Sequence, residues 1–141
     1  MTIQQQKSLI NNYIRIIWNE GDTSRLHEFL HPDFIDHGLP PSLPANAHGL
    51  QQWVALTHSS FIPETVIESQ VAEDQQCIIK ISMRMKHIGM WRGILPTGKT
   101  VTVNGYRTFR FQDDRIIEHW ALIDGAALEQ ALQGKTHVCA R

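Results

Sequence analysis

The 141-residue chain is 42% hydrophobic and 19% charged, with 13 Lys and Arg set against 14 Asp and Glu. That length suits one domain, residues 1–141, with a real core, and a formal net charge of -1 gives no field that would draw nucleic acid or an anionic membrane. The run Met1 to Lys7 lacks an apolar signal core, and no stretch nears the ~18 apolar residues of a membrane span, so the reducing cytoplasm is the expected setting.

In chain order, Leu9, Ile10, Tyr13, Ile14, Ile16, Ile17 and Trp18 recur at near-helical spacing and predict a long amphipathic helix from about Gln5 to Asn19, stopped at Gly21. Asp22 or Thr23 can cap a second helix, Ser24 to Leu30, ended by Pro32. A short strand, Asp33 to Gly38, precedes a loop with Pro40, Pro41 and Pro44 that reads as a rim or lid. A third helix is expected over Gly49 to Phe61, stopped near Pro63. The rest reads as sheet: Thr65 to Glu73, Gln76 to Ile88, Thr100 to Phe111 and Arg115 to Ile123, with a tight turn at Asp113-Asp114 and a closing helix at Ala126 to Leu132. Asn104-Gly105 suggests a bulge, and Pro96-Thr97-Gly98 the tip of a hairpin. Helices followed by an antiparallel meander predict an α+β cone, with a curved sheet wrapped over the helices and a cavity between them.

Strand alternation decides which side chains share a face. One face of the second long strand holds Cys77, Ile79, Ile81, Met83, Met85 and His87, and the other Lys80, Ser82, Arg84 and Lys86. On the last strand Ile117, His119, Ala121 and Ile123 oppose Ile116, Glu118, Trp120, Leu122 and Asp124. Cys77 within an apolar strand and Cys139 near the chain end make a poor disulfide pair.

Two motifs mislead. Gly93 to Thr100 fits the phosphate-cradling pattern G-x-x-x-x-G-K-[ST], but Thr100-Val101-Thr102-Val103 continues as strand where phosphate needs a helix N-terminus. His27-Glu28-Phe29-Leu30-His31 fits a zinc-protease helix, yet Pro32 follows at once and no third ligand is evident. No metal or cofactor is expected. Eight His and four Trp in a nearly neutral chain point instead to an aromatic, titratable cavity. Asp36, His37, His87, His119 and Asp124 are the acid/base candidates, expected to converge through the curvature of the sheet. Tyr13, Trp18, Trp53, Trp91, Tyr106 and Trp120 are candidate ligand contacts, with Trp18, Trp91 and Tyr106 ranked first, although an aromatic at regular spacing is more often plain core.

The run Lys86-His87-Ile88-Gly89-Met90-Trp91-Arg92-Gly93-Ile94-Leu95-Pro96-Thr97-Gly98-Lys99, followed by Asp113-Asp114-Arg115-Ile116-Ile117-Glu118-His119-Trp120, resembles the SnoaL-like polyketide cyclase family. Trp18-Asn19-Glu20-Gly21-Asp22 and Phe34-Ile35-Asp36-His37 extend the likeness. The resemblance implies the nuclear-transport-factor-2-like cone, a homodimer paired through the sheet, and a cofactor-free pocket. It also implies ring closure of a small carbonyl substrate by an intramolecular aldol reaction, in which an aspartate carries the proton. That aspartate directly follows Glu-His-Trp in the cyclases, and here the position is Ala121. The expected function is therefore a cyclase, isomerase or hydrolase that rebuilds its acid/base from His37, His87, His119 or Asp124. The alternative is a binding module that kept the pocket and lost the chemistry.

Overall fold

The computed structural model describes residues 1–134. Helix α1 (Ile3–Tyr13) starts from Thr2, whose side chain accepts the Gln5 amide while the Gln5 side chain accepts the Thr2 amide. The helix then widens into a π-helical stretch, Ile14–Asn19. That widening lets Ile14, Ile16, Ile17 and Trp18 all be buried, more neighbours than one α-helical stripe could hide.

The second helix differs from expectation. It is a 3-10 turn over Thr23–Glu28, and Leu30 already opens strand β1 (Leu30–Asp36) with Pro32 inside it. Pro32 does not break this strand because β1 is an edge, where a missing N–H need not weaken a ladder. Helix α2 (Ala47–Ser60) is capped by Asn46, which accepts from the Gly49 amide at 3.1 Å. Strand β2 (Phe61–Glu73) follows directly and tolerates Pro63 for the same edge reason. Strands β3 (Gln76–His87), β4 (Thr100–Gln112) and β5 (Arg115–Ile123) complete the meander, and α3 (Gly125–Leu132) closes over β4.

The sheet order is β1-β5-β4-β3-β2, antiparallel except where β1 runs parallel to β5. It curves without closing, so the cone is open along its β1 and β2 edges. The inward face carries the core: Cys77, Ile79, Ile81, Met83 and Met85 from β3, Val103, Phe109 and Phe111 from β4, and Ile116 from β5, packed against Ile10, Tyr13, Ile17, Leu50 and Val54 of the helical layer. The phase read from the β3 sequence is the phase observed.

Two local expectations are corrected. Asn104-Gly105 is not a bulge, since register runs unbroken through Ser82↔Asn104 and Ile81↔Gly105; the irregularities fall at Leu30/Ile35, Ile67/Ser69 and Arg110/Phe111. Gly105 answers a demand for space instead, because a Cβ there would stand 2.9 Å from the Leu122 carbonyl oxygen. The turn after β3 has its tip at Arg92-Gly93, both at positive φ between the bridged pair Trp91 and Ile94. Pro96-Thr97-Gly98 forms the returning limb, where Gly98 donates to the His87 carbonyl. Thr100 begins a strand, so Lys99 heads no helix.

Candidate active site

At the β1–β5 end of the sheet, Asp36 is paired with His119 in the ladder and both side chains are 2% exposed or less. His119 Nδ1 donates to Asp36 Oδ1 at 2.8 Å, and the Gly38 amide donates to the same oxygen at 2.8 Å. The other ring nitrogen, Nε2, receives Arg107 Nη1 at 3.3 Å. A guanidinium can only donate, so Nε2 bears the lone pair and the ring proton sits on Nδ1. Burial holds the His119 imidazole below its ordinary pKa, with the hydrogen bond to Asp36 pulling the other way.

Arg107 comes from the inward phase of β4 and stacks its guanidinium 4.6 Å from the centre of the Trp18 ring. Burial lowers its pKa, and the Tyr13 and Asp36 groups offset part of that. Arginine nonetheless stays charged. Tyr13 packs edge-on against Phe29 and Phe109, at 5.8 and 5.7 Å, and burial drives its phenol well above its ordinary value. The Trp18 indole N–H lies beside that hydroxyl without completing a hydrogen bond of good geometry. Asp36 Oδ2, Trp18 Nε1 and Arg107 Nε are all buried without a partner among the described residues.

The other candidates stand elsewhere, and the expected convergence of five acid/base residues is not observed. His119 is level with Phe109 and Cys77, whereas His87 lies ten residues further along β3, about 33 Å of strand away. His87 is fully buried, but its partner is Thr97: Nδ1 accepts the Thr97 amide at 3.2 Å, which places the ring proton on Nε2. Asp124 caps α3, accepting from Ala127 at 2.9 Å. His37 lies just outside the buried pair, hydrogen-bonded to Glu118 at 2.8 Å and stacked on Trp120. The Glu118 carboxyl is held low by His37 and Arg110.

Of the aromatic candidates, Tyr13 and Trp18 line the cluster. Trp53 is half-buried on α2, and Trp91 packs edge-on against Phe61 under the β3–β4 loop. Tyr106 and Trp120 do not face the interior; they are 48% and 39% exposed on the outer face of the sheet. Sequence reasoning missed Arg107. Its signal was available, as a lone charge in the inward series Val103, Gly105, Arg107, Phe109, Phe111.

Gly38 packs closely over Ala121, where a Cβ would stand 3.0 Å from the Ala121 Cβ, and the proline loop is held to β1 by the Asp36 amide donating to Ala45 O at 3.1 Å. Two surface hollows, about 360 Å³ beside Met1 and Asp114 and about 140 Å³ beside Gly21 and His58, include none of the cluster residues. Among the described residues no group of three His, Cys, Asp or Glu could hold a metal ion, and no helix is long and apolar enough to cross a membrane. His27 and His31 share no helix, and His31 bonds Asp113 at 3.2 Å.

Helices packed on an open, curved sheet, with a buried histidine–carboxylate pair at one end, define a cone of the nuclear-transport-factor-2 kind. The sequence profile of the SnoaL-like polyketide cyclases matches residues 8–132, and the chain belongs to that family. No curated protein sequence matches it. TsrD from Streptomyces laurentii superposes with a TM-score of 0.83 at 20% identity, covering 94% of this chain and 97% of TsrD. IdmH from Streptomyces antibioticus gives 0.80 at 23% identity, covering 91% and 97% of the two chains. A SnoaL-like polyketide cyclase from Agrobacterium tumefaciens gives 0.73 at 13% identity, covering 89% and 96%. At these identities the likeness is one of fold.

Proposed function

We propose that this protein is a cofactor-independent enzyme of the cyclase or isomerase type, acting on a small apolar carbonyl compound. The supporting observation is the buried Asp36–His119 pair, which has the parts of a general base: a neutral imidazole with an Nε2 lone pair, and a carboxylate behind it to stabilise the imidazolium that forms. In that chemistry Nε2 takes a proton from the carbon next to the carbonyl, and the same proton returns to another atom of the substrate.

The test is deuterium exchange at the methyl group of acetophenone, followed by NMR. The wild type should accelerate exchange, and His119→Ala and Asp36→Asn should each lower the rate by roughly 10²-fold or more with the fold retained. Exchange no faster than in buffer would defeat the reading.

A second reading, a binding module on the same cone, is favoured by Ala121 and by the occupation of both His119 nitrogens. Saturable binding of a carbonyl ligand without any exchange would select it. We also propose that two copies pair through the outer sheet face. There Val71, Ile78, Tyr106, Trp120 and Leu122 form an exposed apolar band beside the oppositely charged pairs Glu64–Arg84 and Glu68–Lys80. Sedimentation giving a monomer mass at every concentration would exclude it.

A further inference from the structure

A buried cation with unused donors needs an explanation. Arg107 is 5% exposed on an otherwise apolar strand face, and the only carboxylate placed to balance it within the cluster is Asp36, reached through the neutral ring of His119. Its cross-strand neighbour, Ala121, offers no charge. Arg107 Nε–H has no partner among the described residues, and neither has the Nε1–H of Trp18, the ring on which the guanidinium rests. The Tyr13 hydroxyl beside them is kept protonated by burial. A buried donor left unmade is costly, so two of them on stacked groups form an arrangement that gains from an acceptor. A water molecule could relieve them singly, but an anionic oxygen also neutralises the buried guanidinium, where low polarity strengthens the attraction.

We propose that Arg107 and Trp18 form a receptor for one anionic oxygen of the ligand, a carboxylate or enolate oxygen carried on an apolar body. The receptor has a second consequence, which rests on His119 acting as the base. At 3.3 Å the Arg107 contact to His119 Nε2 is a long one, and it occupies the lone pair that a base must use. A ligand oxygen drawing the guanidinium to itself, an oxyanion or the carbonyl oxygen that becomes the enolate, uncovers that lone pair. Binding then arms the base, and the enolate formed by proton removal stays on the cation that armed it.

The probe is benzoate, compared with neutral benzamide of the same shape, titrated calorimetrically into the intact protein. Benzoate should bind at least tenfold tighter than benzamide. Trp18→Phe, which keeps an aromatic ring near the guanidinium but removes the indole N–H together with the five-membered part of the ring, should weaken benzoate about fivefold and leave benzamide nearly unchanged. Arg107→Met, where it folds, should erase the preference altogether. Equal affinity for the two probes, no benzoate binding, or full benzoate affinity in folded Trp18→Phe would overturn the receptor. Acetophenone exchange separates the two ideas: exchange without benzoate preference removes the receptor alone, and benzoate preference without exchange removes the catalytic reading and leaves an anion-binding site.

Discussion

His119 donates a 2.8 Å hydrogen bond to Asp36 across the parallel ladder that joins β1 to β5. Because burial keeps that imidazole neutral below its ordinary pKa, the unfolded chain binds a proton that the folded chain refuses. The stabilising contribution is complete above the unfolded value of about 6.5 and is lost as pH falls towards the folded value. Urea midpoints between pH 8 and pH 5 should therefore fall below about pH 6.5, with a slope of at most about 1.4 kcal/mol per pH unit from this group. His119→Gln should flatten that segment. An unchanged slope in the variant would assign the effect to other groups.

Ala121→Asp places a carboxylate opposite Arg107 in the β4–β5 register, on the same inward face. The new carboxylate should take the guanidinium and lower benzoate affinity at least tenfold relative to benzamide, as read by calorimetry. Undiminished benzoate binding would mean that Arg107 is not the recognition group.

Gly49→Ala should destabilise the protein by about 1–3 kcal/mol despite the better helix propensity of alanine. A Cβ at this position would sit 1.7 Å from the Pro44 carbonyl oxygen, so the proline loop and α2 could not both keep their places. Thermal or urea unfolding measures this directly, and a neutral or stabilising result would contradict the close packing.

Leu122 is 76% exposed at the β5 end of the outer band. Leu122→Glu should convert the proposed dimer to monomer in sedimentation while changing monomer stability by no more than about 0.5 kcal/mol. A dimer of undiminished affinity would move the interface elsewhere.

Lys99 directs its ammonium to the Ala131 carbonyl at 3.5 Å and precedes a strand. Equilibrium dialysis should find no micromolar binding of ATP or GTP, and Lys99→Ala should change nothing in that assay.

Much of the fold was legible because alternation and turn chemistry are local signals. The inward series of β3 could be written from the sequence alone, and so could the strand after Lys99. The failures have a common cause, which is tertiary context. Pro32 and Pro63 read as stops, yet each lies in an edge strand, and edge status is a property of the finished sheet. Gly105 read as a bulge because sequence cannot show the β5 backbone at Leu122 passing so close to it. Within the site, Asp36, His119, Tyr13 and Trp18 were named and do stand together. His87 and Asp124 were grouped with them by residue type, and only register could separate them. Arg107 was passed over because a basic residue in an alternating strand reads as solvent-facing unless its phase is followed.

The β1–β5 ladder also constrains the order of assembly. β2, β3 and β4 can zip as neighbouring hairpins, but Asp36 must meet a partner 83 residues later in the chain. Closing so long a loop is the slow part of building a sheet, and on a ribosome it must wait until β5 has emerged. The paired carboxylate and imidazole are therefore expected to be among the last contacts made. In pulsed hydrogen exchange during refolding, β3 amides should gain protection before those of His37 and Ile116, which donate across the β1–β5 seam to His119 and Phe29. The proposed base would then be withheld until the scaffold is complete, so that an unfinished chain carries no half-built site.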